Sequence, residues 1–150
     1  MPTTIYVDAD ACPVRAEVER VAGRTRTPAV MVSNGGIRPS ADPLISVVAV
    51  SDGPDAADDW IAMRVGAGDV VVTRDLPLAA RCLDAGATVL GPDGREFTAA
   101  SIGQALAGRA IAQHLRETTR NETRHAAFGA ADRQAFLNSL DRLLTRARRG

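Results

Sequence analysis

The sequence predicts an α/β fold with a mainly parallel central sheet and a helical C-terminal extension. Three observations predict it. Short Val-rich runs alternate with segments of helical periodicity through about residue 98, the pattern of right-handed strand–helix–strand crossovers. Runs such as Val70-Val71-Val72 are continuous, as expected of strands covered on both faces. Beyond residue 98 only helical spacing remains. A chain of 150 residues favours one domain. Residues 1–150 are therefore expected to form one unit, with a sheet core to about 98 and helices packed on it from about 99.

Taken in order, Thr3–Val7 reads as a buried first strand ending at Asp8. Pro13 suits a first helical turn. Val14–Ala22 follows with Val14, Val18, Val21 and Ala22 on one face and Gly23 as its stop. Pro28–Val32 is a second strand, closed by the turn Ser33-Asn34-Gly35-Gly36. A loop carrying Arg38, Pro39 and Pro43 leads to a third strand, Leu44–Val50. Ser51-Asp52-Gly53-Pro54 opens a helix from Asp55 to about Gly66. Asp69–Thr73 is a fourth strand, and Leu76–Ala85 is a helix stopped by Gly86. Ala87–Leu90 is a fifth strand. The turn Gly91-Pro92-Asp93-Gly94 then precedes a short edge-strand candidate, Arg95–Thr98. Ile102, Leu106, Ile111 and Leu115 suit an amphipathic helix; Glu117–Gly129 is polar and aperiodic and reads as a loop. Ala131–Arg148 places Phe136, Leu137, Leu140, Leu143 and Leu144 at helical spacing, a closing helix that packs back on the domain.

Aromatic residues make up only 3% of the chain, so Val, Ile, Leu and Ala must build the core, and base stacking on aromatic platforms is not expected. Zero net charge argues against a surface that attracts polyanions as a whole, yet leaves room for a local basic stripe. Lys is absent. Arg142, Arg146 and Arg149 form one helix face, serving either the helix dipole or phosphate. Cys12 and Cys82 have no metal-ligand spacing and read as reduced thiols. No charged leader precedes the first strand, and no apolar run approaches the ~20 residues of a membrane helix. A cytoplasmic protein is expected.

Ligands of open parallel sheets bind beyond the carboxyl ends of the strands. Asp8 and Asp10 follow the first strand; Asp52, Asp55, Asp58 and Asp59 follow the third; Thr73, Arg74 and Asp75 follow the fourth. Asp55 and Asp58 share a helix face, and Asp59 at i+4 is the alternative to Asp58. Crowded aspartates cannot all stay ionised without compensation, which a divalent cation supplies. An oxygen-only donor set points to Mg²⁺ or Mn²⁺ and away from Zn²⁺, and such an ion suits phosphodiester hydrolysis. The candidate catalytic residues are Asp8, Asp10, Asp58 and Asp75, with Asp55 added as a candidate metal ligand. Ser33, Asn34, Thr73 and Arg74 are candidate substrate contacts. Structural alternatives stand beside them: helix-dipole charges for Asp55, Asp58 and Asp59, an N-cap for Asp75, and turn formation for Ser33 and Asn34. His114 and His125 read as surface residues. Cys12 follows the acids closely enough to pack under them, with no base nearby in sequence to make it a nucleophile.

The opening Ile5-Tyr6-Val7-Asp8-Ala9-Asp10-Ala11-Cys12-Pro13-Val14 closely resembles that of the bacterial YaiI/YqxD family (DUF188). Asp55-Ala56-Ala57-Asp58, Gly68 to Asp75, Leu78-Ala79, Asp132-Arg133 and Phe136 extend the resemblance over essentially the whole chain. That family is related to PIN-like domains. Asp8 matches their strand-end Asp, Asp58 their acid before Ile61-Ala62, and Thr73-Arg74-Asp75 their Thr-x-Asp. The resemblance implies a three-layer PIN-like fold and a metal-dependent ribonuclease-like site, with RNA as the expected partner. Two other readings stay open. A DxD after the first strand also heads phosphohydrolases of the haloacid-dehalogenase type, although this chain lacks the Lys such chemistry uses. A non-catalytic module that binds metal or nucleic acid is the other.

Overall fold

The computed structural model describes residues 3–35, 37–50, 53, 55–108 and 128–149, except the side chains of 11, 148 and 149. The expectations for Asp52, for Ile111, His114, Leu115 and His125, for the loop over 117–127 and for the Arg149 side chain lie outside these residues. In chain order the elements are β1 (Ile5–Asp8), a 3₁₀ turn (Ala9–Ala11), α1 (Arg15–Thr25), β2 (Ala29–Ser33), β3 (Ile45–Ala49), α2 (Ala56–Arg64), β4 (Val70–Val72), α3 (Leu76–Asp84), β5 (Thr88–Leu90), β6 (Glu96–Phe97), α4, helical over 99–108, and α5 (Ala130–Arg149). Each expected strand is present within two residues of its expected bounds. The stop of α1 differs. Gly23 lies inside the helix, and the end comes at Arg26 in the left-handed region with φ 56°. A Cβ at position 23 would sit 3.2 Å from Asp42 Oδ2, so that glycine serves a close approach and not a helix end. Gly86, with φ +94°, does follow α3 as expected.

The sheet has the order β3-β2-β1-β4-β5-β6, parallel throughout except for the antiparallel pair β5–β6. Side chains alternate across it. Ile5, Val7, Met31, Val70 and Val72 pack against α1 and against Phe136, Leu140, Leu143 and Leu144 of α5. Val32, Val71 and Val89 pack against Ala57 and Ile61 of α2, Leu78, Ala79 and Cys82 of α3, and Ile102 of α4. Helices therefore cover both faces in three layers, which is why the strand sequences are apolar at consecutive positions. Each such aliphatic side chain contributes about 1.5–3 kcal/mol on burial. Arg133 fastens α5 to α1, donating to Glu17 Oε1 and to the Pro13 carbonyl, both at 2.7 Å. Among the described residues no helix is long and apolar enough to cross a membrane.

Candidate active site

From β1 the chain steps outward to β2 and β3, returns through α2 to β4 on the other side of β1, and then steps the opposite way. The connections leaving β1 and β4 diverge at this reversal, which opens a crevice at the carboxyl ends of the two strands. The register pairs Val7 with Val72, so Asp8 and Thr73 leave the sheet side by side. A cavity of about 580 Å³ opens there, lined by Asp8, Cys12, Thr73, Arg74, Asp75 and Pro92 among others.

Thr73 organises the two acids of this wall. Its hydroxyl donates to Asp8 Oδ2 at 3.0 Å and accepts from the Asp75 backbone N–H at 3.0 Å. Asp75 N-caps α3, its Oδ1 accepting from the Leu78 N–H at 2.9 Å. The cap and the place on the cavity wall are thus held by one residue. Asp58 stands in the first turn of α2, outside the cavity lining yet within the field of the other acids. Burial, then the charges of Asp75, Asp8 and Asp55, push its carboxyl up to about 6, against the opposing charge of Arg81. Burial also raises Asp8, the Thr73 hydrogen bond opposes, and the charges of Asp75 and Asp10 add to the rise. Asp8, Asp58 and Asp75 therefore share one electrostatic neighbourhood. Asp59, the alternative to Asp58, instead pairs with Arg81 at 2.7 Å and ties α2 to α3. Asp55 is exposed at the N-cap of α2 and makes no side-chain capping bond.

Asp10 is engaged elsewhere. Its Oδ1 accepts from Ser33 Oγ at 2.6 Å, and the Asn34 N–H reaches its two oxygens at 3.2 and 3.1 Å. It braces the ends of β1 and β2 and does not line the cavity. Ser33, expected as a substrate contact, is 1% exposed and does not line the cavity; its hydroxyl donates to Asp10. Thr73 lies on the cavity lining, 2% exposed, with its hydroxyl engaged by Asp8 and the Asp75 N–H. Arg74 keeps the expected place, exposed on the cavity lining with its guanidinium 5.8 Å from the Phe128 ring centroid. Burial raises the Cys12 thiol and Asp8 adds to this, against the Val14 backbone, Arg15 and Arg74. A thiol raised in this way is a poor nucleophile at neutral pH. Among the described residues no three His, Cys, Asp or Glu side chains converge closely enough to enclose one ion. The sequence reading missed Leu76, Pro77 and Pro92 as cavity walls. The Gly91-Pro92 turn was visible, but only the strand order puts the end of β5 beside β4.

The family model described as "Uncharacterized BCR, YaiI/YqxD family" matches residues 6–146. The UPF0178 protein of Mesorhizobium japonicum is 58% identical over 144 residues, covering 96% of this chain and 93% of the relative. That of Ruegeria pomeroyi is 54% identical over 149 residues, covering 98% and 97%. That of Rhizobium meliloti is 54% identical over 145 residues, covering 97% and 99%. No solved structure matches the chain.

Proposed function

The chain belongs to the YaiI/YqxD family, and from that premise we propose that it is a divalent-metal-dependent nuclease of PIN-like type that hydrolyses RNA phosphodiester bonds. One observation carries the reading: Asp8 and Asp75 line one cavity at the point where the strand order reverses, and their charges help to raise the proton affinity of the neighbouring Asp58. A hard cation relieves that repulsion, and carboxylate oxygens suit Mg²⁺ or Mn²⁺. Among the described residues the carboxylates do not close a cage, so water would have to complete the coordination of an ion held there. Asp8 and Asp75 would hold it from the cavity wall and Asp58 from the side, with Asp10 and Asp55 farther out. When bound, the ion would supply an activated water and neutralise charge developing on the phosphate. Thr73 fixes the Asp8 carboxylate, and Arg74 offers a guanidinium fork to a phosphate oxygen pair.

With Mn²⁺, the purified protein is expected to cleave labelled single-stranded RNA. Asp8→Asn should abolish cleavage. Asp75→Asn should do the same while keeping the helix cap, since Asn caps as well as Asp. Cleavage that survives Asp8→Asn or a chelator sinks the reading. The open arrangement of the acids also favours a second reading, a non-catalytic metal-binding module, which Mn²⁺ binding without turnover would support. The dehalogenase-type alternative loses ground, because Asp10 is held by Ser33 and Asn34 away from the cavity.

A further inference from the structure

A second cavity, of about 550 Å³, lies between α1 and the loop joining β2 to β3. Arg15 and Arg38 stand on its lining with Met31, Ile37 and Val47, and Glu19 is the one carboxylate there. Both arginines are exposed. Among the described residues, neither guanidinium has an ion pair or a hydrogen bond, whereas those of Arg24, Arg81, Arg95, Arg133 and Arg146 each have a carboxylate partner. Arg15 also links the two cavities. It lines the second and opens α1 only three residues after Cys12, which lines the first.

Two free guanidiniums over an apolar floor have a definite chemical complement. Each fork suits a phosphate, and the floor suits the apolar surface of a base or sugar. With no aromatic ring on the lining, a base would be held by burial and not by stacking. The geometry points to this groove as a subsite for single-stranded RNA beside the acid-lined cavity. Arg15 and Arg38 grip phosphates neighbouring the scissile one, and Met31, Ile37 and Val47 receive an adjoining base. The assignment rests on the nuclease reading of the neighbouring cavity, and it concerns binding, which is measured apart from cleavage.

The test titrates fluorescein-labelled oligo(U) with the full chain carrying Asp8→Asn, by fluorescence anisotropy over a range of NaCl concentrations. Arg15→Ala and Arg38→Ala should each weaken binding several-fold, and each should flatten the slope of log K against log salt by about 0.7. Arg38→Lys should keep the slope and lose part of the affinity, because charge remains and the bidentate fork does not. Arg20→Ala, an exposed arginine on α1 away from this groove, is the charge-matched control and should change little. Unchanged melting curves confirm that the variants fold. The subsite is overturned if Arg15 and Arg38 variants bind as the Arg20 control does, or if oligo(U) does not bind. Asp8-dependent cleavage by the otherwise unaltered chain, with binding indifferent to both arginines, removes the subsite and leaves the nuclease reading. Arginine-dependent binding without cleavage does the reverse.

Discussion

The Thr73 hydroxyl donates to Asp8 and accepts from the Asp75 backbone, so one buried side chain satisfies a carboxylate and a helix-start N–H together. Thr73→Val keeps the shape and removes both bonds. It should cost about 1–3 kcal/mol in urea unfolding, the penalty of leaving buried polar groups unpaired. Thr73→Ser should stay near the parent chain. Asp58 makes the opposite case. Its folded-state carboxyl sits at about 6, above the ordinary 3.8, so the folded chain binds the proton more tightly than the unfolded one. Ionising it therefore removes stability as pH rises from about 4 to 6, and the loss is complete above that window. Asp58→Asn should raise Tm in metal-free buffer at pH 7–8 and leave it unchanged below about pH 4. The gain is expected to be a few tenths to about 1 kcal/mol. Water still screens this partly exposed group, and its loss also forfeits a favourable charge at the α2 N-terminus. Saturating Mn²⁺ should reverse the order, stabilising the parent chain more than the variant. A lower Tm for Asp58→Asn at pH 8 without metal would show that the acids do not repel one another.

At the level of elements, the turn between β5 and β6 meets α5 at Gly94. Its φ is +87°, and a Cβ there would lie 2.7 Å from the Ala135 carbonyl oxygen. Ser139 on the same helix donates to the Gly94 carbonyl at 2.7 Å. Gly94→Ala combines left-handed strain with a backbone clash, and should destabilise by about 2–4 kcal/mol. Loss of helical signal at lower urea would register it; a neutral result would mean that the turn and α5 part easily. Such contacts mark the limit of what the sequence displayed. The strands were legible because two-sided burial writes itself as Val-Val-Val, and α5 because Phe136, Leu140, Leu143 and Leu144 repeat at helical spacing. Helix ends set by tertiary contact were not. Gly23 looked like a stop and instead admits Asp42. In the site, Asp8 and Thr73-Arg74-Asp75 were legible because strand ends face ligands. The choice between Asp58 and Asp59 needed the position of Arg81 on α3, a partner 22 residues from Asp59 that no local pattern marks. The engagement of Asp10 by Ser33 likewise spans 23 residues and depends on strand pairing.

Across the whole molecule, the two helix layers touch the same strands from opposite sides. Val70 and Val72 belong to the core shared by α1 and α5, while Val71 between them belongs to the core of α2 and α3. A strand cannot lose one layer and keep the other, because its backbone pairing serves both. The acids of the site inherit this coupling: Asp58 rides on one layer, while Asp8 and Asp75 leave strands clamped by both. The C-terminal helix packs into the shared core, so the sheet and α5 should unfold as one unit. Trp60, the only tryptophan, is on α2 and packs against the core of that layer, the far side of the sheet from α5. Its fluorescence therefore reports one layer, while far-ultraviolet circular dichroism is weighted towards helix, with α1 and α5 of the other layer the longest helices among the described residues. In urea the two signals should trace coincident transitions with a common midpoint. Removing the chain from residue 128 onward should abolish the sharp transition in both, since Phe136, Leu140, Leu143 and Leu144 leave the shared core with it. If circular dichroism fell first and Trp60 held to higher urea, α5 would be a separable unit. The acid-lined cavity would then have to be judged on the α2–α3 side of the sheet alone.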